Sequence, residues 1–72
     1  MSKLPRDLKP KKVVKALERA GFEVDHVTGS HYILRKGSLR TSVAYHQTIK
    51  TGSLRAILSQ CELSVEEFIK LL

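Results

Sequence analysis

The apolar residues of this 72-residue chain change period twice. Val13, Val14, Leu17 and Ala20 recur at the three- and four-residue spacing of one helix face, while Lys11, Lys12, Lys15, Glu18 and Arg19 keep to the other. From Phe22 to Tyr45 the period falls to two, through Phe22, Val24, Tyr32, Ile33, Leu34, Thr41, Val43 and Tyr45, and turn residues interrupt it at Gly29-Ser30 and Gly37-Ser38. Leu54, Ile57, Leu58 and Cys61 then restore the helical spacing. A side-chain pattern of one period cannot bury its apolar set in an element of the other, so the chain is restricted to an α+β fold.

Local signals sharpen the order of elements. Pro10 has the fixed φ and missing N–H that suit a first helical position, and Gly21 with Phe22 fits the left-handed residue and apolar contact that end such a helix. Strands are expected over residues 22–28, 31–36 and 40–45 as an antiparallel meander. Thr51 or Ser53 is available to cap the second long helix. Ser64-Val65-Glu66-Glu67 is a capping box, so a short last helix should carry Phe68, Ile69 and Leu72. Residues 1–9 read as a leader that orders on contact, with Leu4-Pro5 extended and Lys3, Arg6 and Lys9 solvated. The expected architecture is α-β-β-β-α-α, one domain over residues 1–72. Its three-stranded sheet is covered on one face by two helices and wet on the other.

Size and charge limit what such a domain can do. A chain this short buries only ~60% of the surface its unfolded form exposes, so its core is small. Thirteen Lys and Arg against seven Asp and Glu give +6 and a pI near 9.8, a balance that favours phosphate backbones or acidic proteins as partners. One cysteine, Cys61, excludes an internal disulfide and fits a reducing compartment, so cytoplasm is the expected location. No stretch approaches the ~20 apolar residues of a membrane span, and no signal-peptide pattern is present.

The charges are unevenly placed. From His26 to Cys61, 36 residues contain no carboxylate, and the charged side chains there are Arg35, Lys36, Arg40, Lys50 and Arg55. In the middle, Gly29-Ser30-His31-Tyr32 reads as a turn that delivers a histidine onto a strand. Imidazole exchanges protons near neutrality, which suits His31 to chemistry on an anionic substrate such as a phosphate. Alternation along the strand places His31 and Ile33 on one face and Tyr32 and Leu34 on the other. With Tyr32 and Leu34 toward the helices, His31 is accessible.

Leu4-Pro5-Arg6, Ala20-Gly21-Phe22, Gly29-Ser30-His31, Val43-Ala44-Tyr45-His46, the run from Thr51 to Leu58, and Glu66-Glu67-Phe68 together resemble the HicA-type toxins, also called YcfA-like. The resemblance spans nearly the whole chain. It departs at Ala44, where the family often has proline, and at Ser53, where threonine is usual; serine caps a helix about as well. The resemblance implies a double-stranded-RNA-binding-like fold and a metal-independent ribonuclease that cuts messenger RNA without any cofactor. It also implies a cognate HicB-type antitoxin. The family's catalytic histidine falls on His31.

RNA carries its own nucleophile, the 2′-hydroxyl, so cleavage needs a base, an acid for the leaving 5′-oxygen and positive charge around the phosphate. His31 can supply either proton step. Gly29 and Ser30 form the turn and can bring backbone amides to a phosphate, and the Ser30 hydroxyl can orient the imidazole. Lys50, Gly52, Ser53 and Arg55 lie at a helix start, where free N–H groups attract phosphate. Arg35, Lys36 and Arg40 flank the second turn and are RNA-backbone candidates or simply solvated charges. His46 is either the complementary acid at the same phosphate or a loop histidine fixing the entry to the second long helix. His26 reads as structural. His26, His31, His46 and Cys61 lack the spacings of a zinc site, and Cys61 reads as a buried, inert thiol. Two other readings remain open: a noncatalytic RNA-binding module of the same fold, and a basic adaptor for an acidic protein.

Overall fold

A computed structural model describes residues 4–72. The element order is α1 (Pro10–Arg19), β1 (Glu23–Thr28), β2 (His31–Lys36), β3 (Leu39–Ala44), α2 (Thr51–Cys61) and α3 (Val65–Leu71). Helix α1 starts at Pro10, as the fixed φ demands, behind an extended Lys9. It ends in a Schellman motif. Phe22 N–H donates to the Leu17 carbonyl and Gly21 N–H to that of Glu18, both at 3.0 Å, while Gly21 takes a φ of 103°. That turn drops the Phe22 ring into the core, where Val13, Val14, Ala16 and Leu17 are also buried. Ala16 joins them because the stripe is wider than the four residues its periodicity marks out.

The sheet is an antiparallel meander in the order β1-β2-β3. Thr28 pairs with His31 and Lys36 with Leu39, so both hairpins have two-residue loops. Gly29 and Gly37 open those loops at φ 57° and 59°, where a side chain would be strained. β1 starts one residue later than expected, and β3 is shifted one residue earlier, because the pairing of Lys36 with Leu39 fixes where the second loop closes. Leu34, Thr41 and Val43 face the helices and are buried. Fully burying side chains such as Leu17, Leu34 and Leu54 contributes ~1.5–3 kcal/mol each. β1 is different: all six residues are exposed, and a register shift between Val24 and His26 leaves Asp25 as an extra residue. Charge and a bulge on an edge strand oppose pairing with other chains.

Helix α2 covers β3, α1 lies against β3 and β1, and α3 packs on α1. Leu54, Ile57, Leu58 and Cys61 are all buried, as their spacing requires. The cap differs from expectation: Lys50 stands at the N-cap without a side-chain hydrogen bond, and Thr51 is already helical. The chain enters α2 from a backbone bridge between Leu8 and Ile49, with N–H to carbonyl distances of 3.2 and 2.7 Å. This bridge sets the helix start ahead of both hydroxyls, with the cap position falling on Lys50. It also corrects the reading of the leader, because Leu4 is buried and Leu8 packs against the core. Arg6 and Lys9 are exposed as expected, and Lys3 lies outside the described residues. In α3 the capping box is present, Phe68 is completely buried, and Leu71 packs on the core while Leu72 is exposed. Three residues on from Phe68, instead of four, is the spacing that returns to α1.

Candidate active site

The sheet face turned away from the helices carries the candidate chemistry. Tyr32 and Leu34 point toward the helices, which leaves His31 exposed on the open face at the first position of β2. The cross-strand partners of His31, Ile33 and Arg35 are Ala44, Ser42 and Arg40, so these six residues share that face. Two positions past Ala44, the His46 ring lies edge-on to that of His31, with centroids 6.1 Å apart and planes at 66°.

Where β3 meets α2, a groove of about 300 Å³ opens beside His31. Ser42 lines it from the strand, Lys50 from the helix entry, and Ser53, Ala56, Ile57 and Gln60 from α2. The four helical positions recur at three and four residues, one stripe of α2 that meets the core stripe at Ile57. A second depression, lined by Ile33, Arg40, Thr41, Ser42 and Gln60, adjoins the first at Ser42 and Gln60. The path therefore runs along β3 from Lys50 to Arg40, past the histidine. The uncapped first turn of α2 faces one end with free N–H groups and the Lys50 charge, a setting that attracts a phosphate.

Inside the path, the buried Thr41 hydroxyl donates to Gln60 Oε1 at 2.6 Å. That bond occupies the amide oxygen and leaves the Gln60 NH₂ as the free donor toward the groove. Beneath it, burial pushes the Cys61 thiol up to about 11, against a smaller downward pull from the Thr41 hydroxyl. A thiol held protonated there takes no part as a nucleophile.

The sequence candidates separate into those the fold gathers and those it does not. His31, Lys50 and Ser53 share the groove, and His46 stands beside it. Arg35 and Arg40 pair across the strands at the far end of the same face. Lys36 is turned elsewhere: its Nζ donates to the Ala20 carbonyl at 2.8 Å and lies 5.9 Å above the Phe22 ring, closing the end of α1. Gly52, on the first turn of α2, and Arg55, just past it, are exposed and outside the residues that line the groove. Gly29 and Ser30 form the turn, and the Ser30 carbonyl accepts from Tyr45 N–H at 2.6 Å. His26 Nδ1 donates to Asp25 Oδ2 at 2.8 Å, and this bond, ahead of the nearby Arg35 and Arg40 charges, holds the Asp25 carboxyl below its ordinary range. Ser42 and Gln60 carried no motif; register and helix spacing bring them to the site only once the pairing of β2 with β3 is known. Among the described residues, no three His, Cys, Asp or Glu side chains gather as a metal-binding group. No helix there is long and apolar enough to cross a membrane.

Compared with known families, residues 10–63 match the model for the HicA toxin of bacterial toxin-antitoxin systems. The chain belongs to the HicA toxin family. The match takes in α1, the whole sheet and α2, and hence both histidines and the full groove. This HicA protein is accordingly a toxin of a toxin-antitoxin system, with an antitoxin as partner and RNA as the target in general. Helix α3, with its capping box, lies beyond the matched residues. No curated protein matches the chain.

Proposed function

We propose that this HicA toxin is an endoribonuclease that cleaves messenger RNA in the cytoplasm, with His31 as general acid or base, and that a HicB-type antitoxin silences it by covering that histidine. The observation that carries the reading is the exposed His31 ring at the mouth of a groove shared with Lys50, within a stretch free of carboxylates. A bound phosphate meets no negative side chain from that stretch. The ribose 2′-oxygen attacks the adjacent phosphorus, the bond to the 5′-oxygen breaks, and His31 takes the first proton or supplies the second. No metal is needed for either transfer. Single-stranded RNA fits a path that follows one strand edge, with Lys50 and Arg40 holding backbone phosphates at its two ends.

Purified toxin, freed of any bound partner, should cut single-stranded RNA in the presence of a chelator and leave a 2′,3′-cyclic phosphate. DNA of the same sequence should stay intact, because it lacks the attacking oxygen. His31→Ala and His31→Gln should abolish cleavage and growth inhibition while retaining the fold and RNA binding. Retention of RNA without cleavage by the unaltered chain would identify a noncatalytic binding module instead, and full activity in His31→Gln would remove the catalytic assignment.

A further inference from the structure

We propose that His46 is a second catalytic residue: His31 and His46 flank one phosphate and divide the two proton transfers of RNA cleavage between them. The inference rests on the ribonuclease reading above. Two imidazole nitrogens bonded to the 2′- and 5′-oxygens of one phosphate stand roughly 5–9 Å apart, since each hydrogen bond spans ~2.6–3.2 Å and a single phosphorus separates the oxygens. Ring centroids 6.1 Å apart place the ring nitrogens, each roughly 1 Å from its centroid, at separations that span this range. Both rings are exposed, and among the described residues neither is held by a hydrogen bond, so their nitrogens are open to a ligand.

The fold fixes this spacing from beneath. Tyr32 follows His31, Tyr45 precedes His46, and the two tyrosine rings stack at 4.1 Å and 24° against the core. Above them, the bond from Tyr45 N–H to the Ser30 carbonyl ties the segment carrying one histidine to the turn carrying the other. On β2 alternation puts His31 on the face opposite Tyr32, and the bend that follows β3 at residues 45–47 carries His46 to His31, so the stacked tyrosines anchor the two segments that bear the histidines. A loop histidine that only fixed the entry to α2 would be bonded to that entry. This one faces His31.

In the balanced step, the bond from the 2′-oxygen to phosphorus forms as the bond to the 5′-oxygen breaks. One neutral imidazole takes the 2′-hydroxyl proton, and the other, as imidazolium, gives its proton to the 5′-oxygen. The products are a 2′,3′-cyclic phosphate and a 5′-hydroxyl, and the pair is left with its protonation exchanged until solvent resets it.

The test compares RNA with uridine 3′-(4-nitrophenyl phosphate), whose nitrophenolate departs without needing a proton. On RNA, His31→Ala and His46→Ala should each lose ~100-fold or more. On the activated ester, one of the two variants should return to within ~10-fold of the unaltered toxin and so be identified as lacking the acid, while the other, lacking the base, stays impaired. His46→Gln, which keeps a hydrogen-bonding side chain but cannot relay a proton, should match His46→Ala. The proposal is overturned if His46→Ala cuts RNA within ~10-fold of the unaltered toxin, if His46→Gln restores activity, or if neither variant recovers on the activated ester. If the unaltered toxin leaves RNA intact, it is the ribonuclease reading that fails, a result distinct from an active toxin indifferent to His46.

Discussion

Tyr45 N–H donates to the Ser30 carbonyl at 2.6 Å, joining the end of β3 to the turn that presents His31. That carbonyl is aimed by Gly29, which precedes it at a φ of 57°. A Cβ added at Gly29 would meet nothing within 4 Å, so the penalty for a side chain is conformational alone. Gly29→Val should therefore cost about 1–2 kcal/mol in urea denaturation. Gly29→Asn, which tolerates the left-handed region, should cost less than half as much. If cleavage depends on the Ser30 carbonyl staying on Tyr45, the valine variant should also lose activity at temperatures where it remains folded. Equal stability for the two variants would show that the turn does not need its positive φ.

Two lysines of equal charge serve opposite faces. Lys50 lines the groove beside His31, while Lys36 is bonded to the Ala20 carbonyl at the end of α1. Lys50→Ala should weaken single-stranded RNA binding and lower the slope of log affinity against log salt by about 0.7, one phosphate contact's worth. Lys36→Met should leave affinity and slope unchanged but cost about 1 kcal/mol of stability. Filter binding across a salt series, paired with denaturation, separates the two. Indistinguishable binding losses would mean that RNA does not follow the β3 edge.

Much of this arrangement is legible in the sequence, for identifiable reasons. Pro10, Gly21, Gly29, Gly37 and the Ser64–Glu67 box are local signals whose meaning depends on backbone preference alone, and each stands where that preference put it. Strand alternation divides β2 into two faces, and the choice of Tyr32 and Leu34 for the helix side agrees with the structure. What escaped was set at long range. Lys50 displaces Thr51 and Ser53 as the cap because the Leu8–Ile49 bridge positions the entry, and that contact spans most of the chain. Lys36 has the sequence position of a hairpin charge, but the Schellman turn places the Ala20 carbonyl within its reach. Gln60 enters the site through a hydrogen bond from Thr41, nineteen positions away, which no local pattern announces.

The capping box makes stability depend on acid in a defined direction. Ser64 N–H donates to Glu67 Oε1 at 3.0 Å, and Glu67 N–H donates to Ser64 Oγ at 3.1 Å. The hydrogen bonds to Ser64 hold the Glu67 carboxyl below its ordinary value of 4.5, with Lys70 adding a smaller pull. A group with a depressed folded value contributes its stabilisation in full above the ordinary value and loses it as pH falls through the depressed one. Thermal midpoints of the unaltered chain should thus fall between about pH 5 and pH 3 more steeply than those of Glu67→Gln, whose amide keeps a similar bond without titrating. Parallel curves for the two would mean that the box contributes nothing that depends on charge.

Helix α2 ends like α1, but with the wrong residue for the position. Leu63 N–H donates to the Leu58 carbonyl at 3.0 Å and Glu62 N–H to that of Ser59 at 3.2 Å, with Glu62 at a φ of 55°. In α1 the equivalent left-handed position is Gly21; here an exposed glutamate bears the strain of a Cβ, and its negative charge opposes the partial charge of the helix C-terminus. Glu62→Gly removes both effects and keeps both backbone bonds, at the expense of extra freedom in the unfolded chain. It should raise stability by about 0.5–1 kcal/mol, or about 3–6 °C in Tm. Glu62→Gln removes only the charge and should recover a smaller part. Because Glu62 lies outside the groove, RNA cleavage should be unchanged in both variants. A loss of stability in Glu62→Gly would mean that the strained residue is offset by contacts of its own side chain.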